Sequence, residues 1–216
     1  MSEKVRALVD FLAKLREDDP SMTPIVLVRH GRTAYNAQRR FLGRTDIELD
    51  DVGKSQASKL TALRGVFREV FSSPMRRATQ TAAFLSDEVQ ILQGVEELDQ
   101  ADLEGLFVAE AVKRFPDYFS QWELNPASVC APGGGESLEA LQQRAVRAIQ
   151  RVQPVVGGGP IAIVTHQLVI AVLSLYASGE PLARWKDFTV GNIGMAVLGL
   201  PAGAERIRFI TNEVES

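Results

Sequence analysis

The chain of 216 residues contains one cysteine and two histidines. With Cys130 alone no intrachain disulfide can form and a cysteine-rich metal site is excluded, a pattern that suits a reducing compartment. Two histidines far apart, without a His-Glu-x-x-His pattern, make poor metal ligands, so no metal and no other cofactor is expected. A basic surplus is missing too: 24 Lys and Arg against 27 Asp and Glu leave a formal net charge of -3, which argues against a nucleic-acid binder. No apolar run approaches the roughly 20 residues of a bilayer span, and residues 1–20 mix acids and bases where a signal peptide would have an apolar core. These absences make a cytoplasmic domain the expectation, with neither membrane nor nucleic acid among its partners. Repeats and low-complexity tracts are lacking, and the glycine clusters at 133–135 and 157–159 are not followed by the Gly-Lys-Ser/Thr of a nucleotide loop.

What is present is material for a core. At 45% hydrophobic residues, residues 1–216 are expected to form one domain. Val5, Leu8, Val9, Leu12 and Leu15 recur at helical spacing before Asp18-Asp19-Pro20, so residues 1–20 read as an amphipathic helical extension. Its apolar stripe fits packing onto the domain, the favoured reading, or a homodimer contact. Ile25-Val26-Leu27-Val28 reads as a buried strand. Asp50-Asp51 can cap a helix presenting Val52, Leu60 and Leu63 on one side. Pro74 suits the first turn of a helix running through Thr79, Ala83 and Leu85. Residues 89–95 look extended, and about 103–135 form a helical, lid-like insertion carrying Phe107, Phe115, Tyr118, Phe119 and Trp122, either as core or as cover over a pocket. Ser137 opens a helix that buries Leu138, Leu141, Ala145, Ile149 and Val152, and Ile161–Thr165 is a central strand. Alternating strands and helices predict an α/β three-layer sandwich with a mainly parallel sheet flanked by helices, plus the extra N-terminal helix.

The chemistry gathers at strand ends. The first strand runs into Arg29-His30, the central strand into His166, and the short strand Val70–Ser73 into Arg76-Arg77. Ligands of open α/β sheets bind beyond the carboxyl ends of the strands, so these groups can hold an anion and attack it. Arg32, Arg39, Arg40 and Arg44 add positive charge for a second anionic group, with Arg39 read as the more ordinary solvated side chain and Arg44 as the better participant.

Leu27 through Asn36, with its Arg29-His30-Gly31 centre, resembles the signature of the histidine phosphatase superfamily, in the branch that includes cofactor-dependent phosphoglycerate mutases. Gly43 to Leu49, Ser73 to Ala82, Glu97-Leu98-Asp99 with Glu104-Gly105, Gly134 to Ser137, and Val164-Thr165-His166 resemble the family's further blocks, in order, and Asn192 falls near another. The resemblance implies His30 as nucleophile, Arg29, Arg77 and His166 around the phosphoryl oxygens, with His166 protonated when phosphate is bound, and Glu97 as proton donor. Neighbouring Glu96 is the alternative in that crowded acidic stretch. Asn36, Gly43 and Gln167 are further candidate substrate-binding residues. Ala101 and Gln167 stand where the family commonly has glycine.

The implied activity is metal-independent hydrolysis of a small phosphomonoester through a phosphohistidine. Alternatives are a phosphoglycerate-mutase-type phosphotransferase, for which the chain is short, and a non-catalytic phospholigand-binding protein.

Overall fold

The computed structural model describes residues 3–202 and 207–214. In chain order its main elements are α1 (Glu3–Asp18), β1 (Met22–Arg29), α2 (Ala34–Gln38), α3 (Asp51–Ser58), β2 (Glu69–Ser72), α4 (Arg76–Ala82), β3 (Val89–Ile91), α5 (Val108–Arg114), α6 (Pro116–Leu124), α7 (Leu138–Ile149), β4 (Ile161–Thr165), α8 (Gln167–Ser178), β5 (Met195–Pro201) and β6 (Arg208–Val214). The strands form one sheet in the order β3-β2-β4-β1-β5-β6. β3, β2, β4 and β1 are parallel, and β5 runs against both β1 and β6.

Period-two alternation divides the core between the two faces of this sheet. Ile25 and Leu27 of β1 and Ile161 and Ile163 of β4 point to one side, where α7 contributes Leu138, Leu141, Ala145 and Ile149 and α8 adds Val169, Ile170 and Leu173. Val26, Val28, Ala162 and Val164 point to the other, against Ala78 and Ala82 of α4 and Leu60 and Leu63. α1 joins this second layer through buried Leu8 and Leu12, so its apolar stripe packs onto the domain. The three-layer architecture follows from strands buried on both sides, which is why β1 and β4 read as continuous apolar runs.

Local chemistry sets the ends of the helices. Asp50 caps α3 by accepting the Gly53 N–H at 2.7 Å, and Ser137 caps α7 by accepting from Ala140 at 3.2 Å. Two expectations shift. Val52 is 45% exposed, because α3 ends at Ser58 and Leu60 and Leu63 turn inward from a separate 3-10 helix, Lys59–Leu63. Pro74 precedes α4, which ends at Ala82, short of Ala83 and Leu85.

Residues 103–135 carry α5 and α6 and a small apolar cluster of their own, in which Phe41, Phe115, Tyr118 and Phe119 pack against buried Leu103, Ala111 and Ala131. No described helix is long and apolar enough to cross a membrane.

Candidate active site

The strand order β2-β4-β1 makes three parallel carboxyl ends neighbours, and that adjacency assembles the site. His30 follows β1 and its N–H donates to the Thr165 carbonyl at 3.0 Å. His166 follows β4 and forms the N-cap of α8. Ser73 follows β2, with its N–H on the Val164 carbonyl at 2.9 Å, and α4 then carries Arg77 in its first turn. The imidazoles of His30 and His166, 136 positions apart in the chain, meet with ring centroids 5.2 Å apart in an edge-to-face arrangement.

The His30 ring has a defined tautomer. Its Nδ1 lies 2.7 Å from the Gly31 carbonyl, which can only accept, so Nδ1 carries the proton and Nε2 keeps its lone pair. Burial, then the charges of Arg77 and Arg29, holds its pKa well below the usual imidazole value. His166 is fully buried, its Nε2 2.8 Å from the Ser73 hydroxyl. Its pKa is likewise held well below the ordinary value by burial first, and then by Arg77, His30, Arg144 and Arg29. Both rings are therefore neutral in the free site at neutral pH; protonation of His166 belongs to the expected phosphate-bound state.

Arg77 is wholly buried, and its guanidinium donates to the Thr45 carbonyl at 2.9 Å and the Gly43 carbonyl at 2.7 Å. Burial lowers its pKa to about 10, while Glu97, Asp46 and Glu104 act to raise it, so it stays charged at neutral pH. The turn that receives it is itself held: the Glu104 carboxylate accepts the N–H groups of Arg44 at 2.5 Å and Thr45 at 2.6 Å, and also the Thr45 hydroxyl. Gly43 is required there because a Cβ would lie 2.4 Å from the Leu98 carbonyl oxygen. Arg29 donates to the Val190 carbonyl at 2.7 Å. Among the described residues, Arg29 Nε, Arg77 Nε and His166 Nδ1 are buried without a hydrogen-bond partner. A buried unsatisfied group costs about 1–3 kcal/mol, and a phosphate dianion is the kind of ligand that would relieve it.

The two adjacent glutamates have different surroundings. Glu97 is buried at the cavity, its carboxylate accepting from the N–H of Leu98 at 2.9 Å and of Leu168 at 3.3 Å. Burial raises its pKa, against the lowering effect of those two bonds and of Arg77 and Arg29. Glu96 instead accepts from the Gly94 N–H and lies within 3.7 Å of Arg44 and 3.5 Å of Arg144. Their different partners separate them, which composition could not reveal.

A cavity of about 600 Å³ opens over these groups, and Arg29, His30, Asn36, Glu97 and Gln167 line it. Arg77 and His166, both wholly buried, and Gly43 are not among its lining residues. Asn36 caps the turn at Thr33 through its Oδ1, and Asn192 donates to the His30 carbonyl at 3.1 Å. Ile193 beside it has φ 56°, a conformation costly for a β-branched residue, and its N–H is 3.1 Å from the Arg29 carbonyl. This strained loop pins the end of β1. Arg32 and Arg44 are engaged by carboxylates, Arg32 with Asp50 at 2.8 Å and Arg44 with Glu96 and Glu136 at 3.7 and 3.6 Å. Arg39 and Arg40 are at the cavity, and Arg44 is not among its lining residues. Sequence reasoning placed Ser73 and Glu104 inside the quoted blocks without giving either a role, and it missed Lys186. Lys186, also at the cavity, sits on a 3-10 helix that no motif marked.

Known proteins resemble this chain over most of its length. The profile of the histidine phosphatase superfamily (branch 1) matches residues 25–213. A phosphoglycerate mutase-like protein 4 of Arabidopsis thaliana is 35% identical over 180 residues, covering 80% of this chain and 77% of that protein. A metal-independent phosphoserine phosphatase of the same plant is 30% identical over 165 residues, 73% of this chain and 69% of its own. The structure of a mycobacterial glucosyl-3-phosphoglycerate phosphatase superposes with a TM-score of 0.78 at 28% identity, covering 88% of this chain and 97% of that one. With the family's profile running from the first sheet strand into the last, the chain belongs to the histidine phosphatase superfamily, branch 1.

Proposed function

We propose that this protein hydrolyses small phosphomonoesters without a metal ion, through a phosphohistidine on His30. One observation carries the reading: a neutral, buried imidazole whose Nδ1–H is spent on the Gly31 carbonyl presents Nε2 beside two guanidinium groups. Nε2 attacks phosphorus, the P–O ester bond breaks, and Glu97 gives its proton to the departing alkoxide. Water then attacks the phosphohistidine, Glu97 takes the proton, the P–N bond breaks, and inorganic phosphate leaves. The raised pKa of Glu97 suits a carboxyl that must first donate and then accept. Arg29 at the cavity wall, with Arg77 and His166 buried beside His30, supplies preorganised donors for the transferring group, the principal source of rate in a dry site. Asn36, Gln167 and the turn at Gly43 complete the phosphate's surroundings.

The test is single turnover with a phosphomonoester radiolabelled on phosphorus. Label appears on His30, decays to inorganic phosphate, and is absent from His30→Gln; turnover in excess chelator is unchanged. Turnover without label on His30 would refute the mechanism. Label passing to a bound alcohol instead of water would make the chain a mutase-type phosphotransferase.

A further inference from the structure

The cavity is much larger than a phosphate and a short alcohol require. At about 600 Å³ it lies in the range of roughly 300–1,000 Å³ that encloses ligands of several fused or linked fragments. One wall is aromatic and continuous. Phe41, Phe119, Tyr118, Trp122 and Trp185 make successive ring contacts with centroid separations of 6.0, 5.0, 5.7 and 6.1 Å, and all five line the cavity. They come from the loop after α2, from α6 and from the 3-10 helix Leu182–Phe188, so three separate pieces of chain converge to build one apolar surface. Flat faces of this kind accept a ring through dispersion and stacking.

The cavity also holds cations left free by the rest of the protein. Arg39 and Lys186 are exposed at its mouth and have no ion pair among the described residues; Lys186 rests 5.8 Å from the Trp185 ring. Arg40 is already fixed, with its guanidinium 3.8 Å from the Phe107 ring and one donor on the Gly105 carbonyl. Glu123 is the one carboxylate lining the outer cavity, with Glu97 inside.

We propose that the substrate is a phosphomonoester whose alcohol carries two further recognition elements: a ring lying along Tyr118, Trp122 and Trp185, and a second anionic group held by Arg39 and Lys186. This rests on the phosphatase reading and narrows its substrate class. The phosphate lies at His30, the ring spans the middle, and the second anion sits at the mouth. Carboxylate and phosphate both suit two exposed cations.

The experiment compares four primary alkyl phosphates, matched so that the chemical step has similar leaving groups: ethyl phosphate, cyclohexylmethyl phosphate, and cyclohexylmethyl phosphate bearing on the far side of the ring either a carboxylate or a second phosphate. kcat/KM is expected to rise at least tenfold on adding the ring and about tenfold again on adding either anion, the effect of one charge-assisted hydrogen bond at a partly exposed site. The larger of the last two gains identifies the anion. Trp122→Leu should shrink the ring gain, and Arg39→Gln or Lys186→Gln the anion gain, largely through KM. Equal efficiency across the wild-type panel would overturn the proposal, as would an anion gain that survives both cation substitutions. Failure of the phosphatase reading itself is distinct, since no compound would then place label on His30.

Discussion

Arg144 ties the fold to the proposed proton donor, and replacing it by lysine makes a quantitative test. All five N–H donors of its guanidinium are used: Nε and Nη2 on the two Glu136 carboxylate oxygens at 2.6 and 2.8 Å, Nη1 on the Gly94 and Glu96 carbonyls at 3.0 and 2.8 Å, and Nη2 on the Glu97 carbonyl at 2.8 Å. The same Glu136 carboxylate accepts the Asp99 N–H at 2.9 Å, so segment 94–99 is held from both ends. Lysine offers three donors on a compact ammonium and cannot reproduce this planar fork. At least two bonds are lost, each worth about 1.5–3 kcal/mol where a charge is involved. Arg44, 3.6–3.7 Å from Glu136 and Glu96, offsets part of this, so the expected loss is near the low end, about 3 kcal/mol of unfolding free energy by urea titration. The kinetic consequence falls on Glu97. A positioned acid contributes roughly 10²- to 10⁴-fold. Loosening its backbone should therefore lower kcat on a primary alkyl phosphate by about 10- to 100-fold, and much less on an aryl phosphate whose phenoxide leaves without protonation. In a Glu97→Gln background Arg144→Lys should add little further loss on the alkyl ester, because residues acting through one group are not additive. Equal losses on both esters, or additive losses in the double variant, would refute the idea that Arg144 acts through Glu97.

Other expectations are simpler. Glu97→Gln should slow alkyl phosphates by about 10²-fold or more relative to activated aryl phosphates, and steady-state rates on the two classes decide it. His30 and His166 have pKa values depressed by burial and by neighbouring cations, so below the ordinary imidazole value the unfolded chain binds protons that the folded chain refuses. Their stabilising effect is present at neutral pH and is lost as pH falls through about 6.5, by about 1.4 kcal/mol per pH unit for each ring. His30→Gln should flatten the fall in unfolding free energy between neutral and mildly acid pH by up to one proton's worth; an unchanged slope would contradict the neutral buried ring. Gly43→Ala should destabilise by about 1–3 kcal/mol, since its Cβ would meet the Leu98 carbonyl oxygen at 2.4 Å and the Glu104 carboxylate at 2.6 Å. A thermal melt within a degree of the parent would show that this turn can yield.

Much of this was legible because its causes are local or periodic. Continuous apolar runs such as Ile25–Val28 and Ile161–Val164 mark strands buried on both faces. Asp50 and Ser137 announce helix starts through their own side chains. The ordered blocks from Arg29-His30-Gly31 to His166 carried the family, and three of them, following β1, β2 and β4, stand at strand ends that the sheet order makes neighbours. The antiparallel strands β5 and β6, seven residues each, were not legible, because none of the family's blocks or its chemistry-bearing residues falls within them. The helix begun at Asp51 was read too long because Leu60 and Leu63 keep helical spacing across a change to 3-10 geometry.

The amino-acid order by itself determined the buried strands β1 and β4, the caps at Asp50 and Ser137, and the candidate groups proposed to act on a phosphoester, since these depend on neighbours within a few positions. Only the tertiary structure decided which cations are free. Arg44 and Arg39 look alike in sequence, yet Arg44 meets Glu96 and Glu136 from distant segments, whereas Arg39 faces the cavity with Lys186 from 147 positions away. Charge pairing and ring contact act through space over a few ångströms, and the sheet order β2-β4-β1 sets those distances.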